Sequence, residues 1–266
     1  MLATLTLMLI GAVAGLMAGL LGVGGGLIVV PALALWLPST GIAPAEALHA
    51  AVATSLASIS VTAAASAWAH YRRGGVNLPA LAWLTPGLLA GSGGGALVVA
   101  MIPGPALTLF VASFCVFAAW QVSRSRAESG VAPGPLPPRW LLPGGLAIGA
   151  VSAAVGIGGG SLTVPLLYRL GAPLRNAIAT SAAAGLPIAI AGTLGYMTAQ
   201  TPAALSRWAI GLVDLKVALA IASLSILTAP IGASLAHRWP VARLKRVFAL
   251  WLLVVAGLLL WRLARG

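Results

Sequence analysis

Several stretches of this chain run for the length of a bilayer crossing with hardly a charge. Residues 2–21, 78–101, 212–236 and 247–260 each carry at most two ionisable side chains. A bilayer core is about 30 Å thick and takes about 20 apolar residues of helix. Several of these runs meet that length. Of the 266 residues, 60% are hydrophobic and 7% are charged. Soluble proteins carry about 25% charged residues. A soluble fold of this size could not cover its surface with so few charges. The reading is an all-α polytopic membrane protein in a lipid bilayer.

Lys and Arg total 15 and Asp and Glu total 3, a formal charge of +12. In a soluble chain that excess suggests nucleic-acid binding. Here the basic residues sit in short connections between apolar runs, as in Arg72-Arg73, Arg124/Arg126 and Arg243/Lys245/Arg246. That placement fits loops facing anionic lipid and excludes a nucleic-acid partner. The one cysteine, Cys115, lies inside an apolar run and reads as a small hydrophobe. No Lys or Arg precedes residues 2–21, so the positive start of a signal peptide is missing.

A motif recurs. Gly22-Val-Gly-Gly-Gly-Leu-Ile-Val-Val-Pro31 returns 134 residues later as Gly156-Ile-Gly-Gly-Gly-Ser-Leu-Thr-Val-Pro165. Ala51-Val-Ala-Thr-Ser55 matches Ala177-Ile-Ala-Thr-Ser181, and Gly95-Ala96, Pro103 and Leu107 match Gly232-Ala233, Pro240 and Leu244. The matches keep their order, which points to duplication. The expected organisation is a first half over 1–122, an exposed linker over 123–138 and a second half over 139–266. The linker holds Arg124, Arg126, Glu128 and four prolines.

Each half reads as a glycine-tipped, broken helix pair followed by three spans. The spans are expected at 43–70, 78–101 and 106–122, then at 175–198, 212–236 and 241–263. Arms 141–155 and 161–170 are too short to cross alone at 1.5 Å per residue, so they suggest a re-entrant hairpin. Residues 2–21 are long enough to span. Trp36, Trp68, Trp120, Trp140, Trp208, Trp239 and Trp261 fall near span ends, as an interfacial belt predicts, whereas Trp83 and Trp251 do not.

Charge then orders the halves. If both carry hairpins and three crossings, they are inverted relative to each other. Arg72, Arg73, Arg124, Arg126, Arg139, Arg169, Arg175, Arg238, Arg243, Lys245 and Arg246 then share one face. Only Arg207, Lys216, Arg262 and Arg265 lie opposite. A parallel arrangement gives a weaker bias, so the positive-inside rule favours inversion. Inversion also places Arg262 and Arg265 outside, which counts against it.

The glycine clusters are the candidate site. One such cluster reads as close helix packing. Two, at matching positions, point to a transporter site, because broken backbone at membrane depth is tolerated only inside protein or beside a cavity. The arms after the glycines would aim free amides and positive dipole ends at the centre, a setting that binds anions. The expected ligand residues are Gly22, Gly24, Gly25 and Gly26 with Gly156, Gly158, Gly159, Gly160 and Ser161. Thr54, Ser55, Thr180 and Ser181 are expected to line the same place, although membrane Ser and Thr also bond their own backbone. Ser161 and Thr163 could add donors where the first half has Leu27 and Val29.

His49 and Arg175 each stand six residues before the Ser of a Thr-Ser pair. They read as interfacial side chains or as an anion funnel, with His49 able to carry a proton. Glu46 and Asp214 are the only acids near spans, so a carboxylate relay is not expected. No nucleophile–base pattern, P-loop, cofactor motif or metal-ligand spacing appears, so neither an enzyme nor a bound cofactor or metal is expected.

These residues resemble a known family. Gly19-Leu-Leu-Gly-Val-Gly-Gly-Gly-Leu-Ile-Val-Val-Pro31 and its repeat at 156–165 look like the duplicated signature of the sulfite exporter TauE/SafE family of membrane permeases. The resemblance implies a multi-pass permease of the inner (plasma) membrane for small sulfur-containing anions such as sulfite, sulfonates or sulfoacetate-like compounds. A second copy of the chain is an admissible partner. The other readings are a structural or assembly membrane protein whose glycines only pack helices, and a cation or metal permease. The near absence of acids weakens the last.

Overall fold

The computed structural model describes residues 2–21, 25–124, 136–202, 205–236 and 241–265. Ten helices follow in order: α1 (Leu2–Leu21), α2 (Gly26–Trp36), α3 (Pro44–Arg72), α4 (Leu78–Met101), α5 (Gly104–Arg124), α6 (Pro138–Val155), α7 (Gly160–Arg169), α8 (Leu174–Met197), α9 (Leu215–Ala236) and α10 (Val241–Arg265). A 3-10 turn, Leu37–Thr40, extends α2. A two-residue hairpin, β1 (Ala209–Ile210) and β2 (Val213–Asp214), precedes α9. Among the described residues, α3, α4, α5, α8, α9 and α10 are long and apolar enough to cross a membrane. The chain is a multi-pass membrane protein.

Two helix pairs pack with their backbones in near contact. A side chain on Gly87, Gly91 or Gly95 of α4 would run into the α6 backbone at Leu142, Leu146 and Ala150 in turn. Gly11 and Gly15 of α1 face Ile221 and Ser225 of α9, and Gly232 of α9 faces Leu16. Residue numbers rise together along both interfaces, so α4 runs parallel to α6 and α1 runs parallel to α9. Apolar lipid gives no hydrophobic drive between helices, and close approach at small residues supplies dispersion contact instead.

These directions decide whether α6 and α7 cross. The Asn176 side-chain amide donates to the Gly75 carbonyl at 3.1 Å, in the connection from α3 to α4. Thus α8 begins at the face where α3 ends and α4 begins. Helix α6, parallel to α4, also starts at that face. Helix α7 must therefore bring the chain back to the face it left, and α6–α7 is a re-entrant pair.

The other pair repeats the logic at the opposite face. Asp214, at the start of α9, donates its amide to Thr54 in the first half of α3. Helix α1 starts on the same side as α9, and α2 returns the chain to the start of α3. Arg262, near the end of α10, reaches the Ala34 carbonyl of α2 at 3.1 Å and fixes that end of α10 to this face. The two pairs enter from opposite faces.

The long α1 was expected to be able to span. At about 30 Å it has the length, but its parallel run beside α9 and the return through α2 make it one arm of a re-entrant pair. The short hairpin at 209–214 is absent from the sequence reading, which began a span at 212; β2 occupies Val213–Asp214 and α9 starts at Leu215.

The innermost helices are α3 and α8, which pack on each other and hold most of the fully buried polar side chains. Outward-facing Leu5, Leu97, Met101, Leu219, Leu227 and Leu250 are exposed, as lipid-facing residues are. Trp68, Trp120, Trp140, Trp208 and Trp261 are exposed near helix ends. The described Arg72, Arg73, Arg139, Arg169, Arg175 and Arg246 are exposed at the face where α3 ends, and Arg207, Lys216 and Arg262 at the other.

Candidate site at the glycine breaks

The break between α6 and α7 needs glycine twice. Gly156 ends α6 with φ +73°, and Gly159 precedes α7 with φ +73°. Both lie in the left-handed region, where a Cβ costs about 1–2 kcal/mol. The Gly156 and Ile157 amides both bond to the Ser152 carbonyl, closing α6. The Leu162 and Thr163 amides both bond to the Gly159 carbonyl, opening α7. A helix leaves its first amides without intrahelical partners, and here these include Gly160 and Ser161. The positive end of α7 therefore points into the protein interior.

The first break meets it. A Cβ placed on Gly26 would strike the Gly156 carbonyl oxygen and lie 2.9 Å from the Ile157 Cα. The start of α2 thus sits against the end of α6, and the two glycine clusters are in contact. Gly25 packs beside Ala14 of α1. Gly22 and Gly24 lie outside the described residues. On the other side of the break, Gly158 approaches Ile59 of α3 and Gly185 of α8. Gly159 is walled by Ile148 and Ile188.

The two Thr-Ser pairs are brought to this region, but they do different things. Ser55 donates its hydroxyl to the Gly156 carbonyl at 2.9 Å and ties α3 to the break. Thr54 accepts the Asp214 amide at 3.1 Å. Thr180 accepts the Asn77 amide at 2.8 Å. Ser181 is buried and has no partner among the described residues. It stands one helical turn before Gly185, hence on the face of α8 that meets Gly158.

Asn77 and Asp214 anchor the two Thr-Ser pairs; the sequence reading passed over Asn77 and took Asp214 only as an acid near a span. Asn77 Oδ1 accepts the Ala80 amide and caps α4. Asp214 Oδ1 accepts the Val217 amide and caps α9. Each also donates its own amide to the threonine of a Thr-Ser pair. The two stand 137 residues apart, the same spacing as Gly95 and Gly232. That shared offset was the signal that could have revealed them.

Three more buried hydroxyls near the break lack partners among the described residues: Ser152, Ser161 and Thr163. Thr193, further along α8, is a fourth. Ser161 and Thr163 stand in the first turn of α7, and a Cβ placed on Gly159 would lie 3.3 Å from Thr163 Oγ1. Leaving a buried hydroxyl unpaired costs about 1–3 kcal/mol. Such groups gathered around a helix start are suited to an incoming acceptor. Arg72, Arg73, Arg139, Arg169, Arg175, Arg207, Lys216, Arg246 and Arg262 are all exposed, so none of them stands behind these hydroxyls.

His49 and Arg175 share a place in the motif and little else. His49 is buried and its Nε2 lies 3.0 Å from the Ile102 carbonyl, which joins α3 to the end of α4. Arg175 is exposed at the start of α8.

A cleft lies elsewhere. About 500 Å³ opens along α3, α4 and α8, lined by Ala64, Trp68, Leu81, Ala183, Leu186 and neighbours. Its walls are almost wholly apolar. An anion there would lose water and gain nothing, so the chemistry points to the break.

A helical, multi-pass chain with two re-entrant pairs meeting tip to tip inside it is built as a membrane transporter. The chain belongs to the sulfite exporter TauE/SafE family, whose model matches residues 7–259. It is 33% identical over 250 residues to a probable membrane transporter protein of Haemophilus influenzae, covering 94% of this chain and 95% of that one. It is 28% identical over 231 residues to one of Methanocaldococcus jannaschii, covering 85% and 84%. A third, of Bacillus subtilis, is 26% identical over 192 residues, covering 69% and 75%. No solved structure matches the chain.

Proposed function

We propose that this protein is a secondary permease for a small anion, bound where the two glycine breaks meet. The observation that carries the reading is the set of unpartnered buried hydroxyls, Ser161, Thr163 and Ser181, around the start of α7. Backbone amides at a helix start attract anions, and each helix terminus adds about 0.3–2 kcal/mol depending on burial. A site without a buried cation binds weakly and releases, which a permease needs. The family name suggests sulfite or an organosulfonate as the anion.

The recurring motif and the opposite directions of the two re-entrant pairs support a duplicated chain with inverted halves. On this reading 1–122 and 139–266 exchange faces about the central contact, with 123–138 linking them. Exposed arginines concentrate where α3 ends, and the positive-inside rule makes that the cytoplasmic face. The test uses purified protein in liposomes loaded with labelled sulfite, methanesulfonate or ethanesulfonate. Flux above that of empty liposomes is expected for at least one of them. Absence of flux across the whole panel would sink the proposal.

A further inference from the structure

Resting on that permease reading, we infer that the anion held at the second glycine break carries a single negative charge and that dianions are rejected there. The donors around the break are all neutral. They are the hydroxyls of Ser152, Ser161, Thr163 and Ser181 and the first-turn amides of α7. The surroundings are otherwise apolar: Ile148 and Ile188 wall Gly159, and Ile59 covers Gly158.

Charge enters this balance unevenly. The cost of taking an ion out of water grows as the square of its charge, so a dianion costs roughly four times as much as a monoanion of equal size. Its attraction to fixed dipoles grows only in proportion to its charge. Neutral donors can therefore compensate a first charge and fall short on a second. Arg and Lys are the side chains best suited to supply the remainder, through charge-assisted hydrogen bonds. Here the nine Arg and Lys side chains whose burial is described are all exposed.

A second observation pushes the same way. Asp214 is only 3% exposed, a buried acid that sequence reasoning had placed merely near a span. Its amide is bonded to Thr54, next along α3 to Ser55, which holds the Gly156 carbonyl. Asp214 brings no positive charge to the break, and its Oδ1 is engaged with the Val217 amide. His49, a buried histidine, is engaged with Ile102 at the end of α4.

The experiment measures initial uptake into liposomes holding the full chain. Methanesulfonate is a monoanion at every pH used, and ethane-1,2-disulfonate is a dianion. Sulfite passes from monoanion to dianion near neutral pH and reports both forms. Methanesulfonate uptake should exceed disulfonate uptake by at least about tenfold, the ratio a difference of about 1.4 kcal/mol produces. Sulfite uptake should fall from mildly acidic to mildly alkaline pH while methanesulfonate uptake does not. Ser161→Ala with Thr163→Val should lower methanesulfonate uptake, and Thr163→Ser should keep it.

Disulfonate uptake equal to that of methanesulfonate overturns the inference, as does sulfite uptake that rises with pH. Either result leaves the anion permease standing. If neither sulfonate nor sulfite moves at any pH, both the inference and the permease reading fall.

Discussion

The two glycine breaks share a backbone plan and differ in dress. At the first, α2 opens at Gly26 and is followed by Leu27 and Val29, both buried in the apolar core. At the second, α7 opens at Gly160, and the matching positions are Ser161 and Thr163, whose hydroxyls have no partner among the described residues. Ser152 of α6 likewise stands where α1 has Ala18. The first break supplies a wall and the second supplies donors. A pair of similar backbones can thus carry unequal chemistry, with one break holding the geometry and the other the ligand.

The strongest way to break that comparison is to separate the tips. Gly26→Ala places a methyl on the Gly156 carbonyl and beside the Ile157 Cα. Neither neighbour is a side chain that can swing away. Gly156→Ala adds left-handed strain and a clash with Val30. Overpacking costs about 1–3 kcal/mol, and the strain adds about 1–2 kcal/mol for the second variant. Thermal unfolding in detergent should show a marked loss for both, larger for Gly156→Ala. A fully stable Gly26→Ala protein would show that the breaks do not touch as described.

Next in size are the cross-links from the Thr-Ser pairs. Thr54→Val removes the acceptor for the Asp214 amide, and Thr180→Val removes that for Asn77. An amide left buried without a partner costs about 1–3 kcal/mol. Asn77 is the less buried of the two caps. Water can reach it more easily, so Thr180→Val should cost less than Thr54→Val. Equal melting temperatures for the two variants would remove this distinction between the halves.

The donors themselves give a smaller and different effect. Ser161→Ala with Thr163→Val should leave the melting temperature unchanged or slightly raised, because it deletes unpaired buried hydroxyls. Anion uptake should fall by at least about tenfold, because even one of the two hydrogen bonds lost to a charged ligand is worth about 1.5 kcal/mol or more. The matching change at the first break, Leu27→Ser with Val29→Thr, should instead lower stability without raising uptake. If the first-break change enhanced uptake, the division of labour between the breaks would be wrong.

Much of this was readable from sequence, for identifiable reasons. The span at 78–101 coincides with α4 because Asn77 and Pro79 start it and Pro103 follows its end. The span read as 43–70 runs on to Arg72 and stops before Gly74, which adopts φ +65°. Such ends are set locally. The hairpin at 209–214 has two-residue strands, too short to show any periodicity, and turns at Gly211 with φ +59°.

The site was legible as a place and not as a set of roles. Repeated glycines mark where backbone must approach backbone, and the sequence shows them directly. Whether a hydroxyl is engaged or free depends on partners about a hundred residues away. Thr54, Ser55, Thr180 and Ser181 look alike in sequence, and only Ser181 is left without a partner among the described residues. The same blindness hid Asn77 and the capping role of Asp214, which take meaning only beside the opposite Thr-Ser pair.

The smallest predicted effect concerns His49 and Arg175, which occupy one motif position in two settings. Arg175 is exposed at the arginine-rich face, with no ion pair to an acid among the described residues. Its charge can draw anions toward that face only through water and salt, over about one Debye length of 8–10 Å. Arg175→Gln should therefore leave stability unchanged and raise the half-saturating anion concentration by less than about threefold, in keeping with the small worth of exposed charges. The difference should vanish as ionic strength is raised, because screening removes a surface field first. His49→Leu acts through packing instead. It removes a buried bond to the Ile102 carbonyl, worth about 0.5–1.5 kcal/mol, and its effect should persist at high salt. Salt titration of uptake for the two variants separates the cases. A salt-insensitive loss in Arg175→Gln would mean that Arg175 touches the ligand on its route, and the charge at that face would then belong to the binding path.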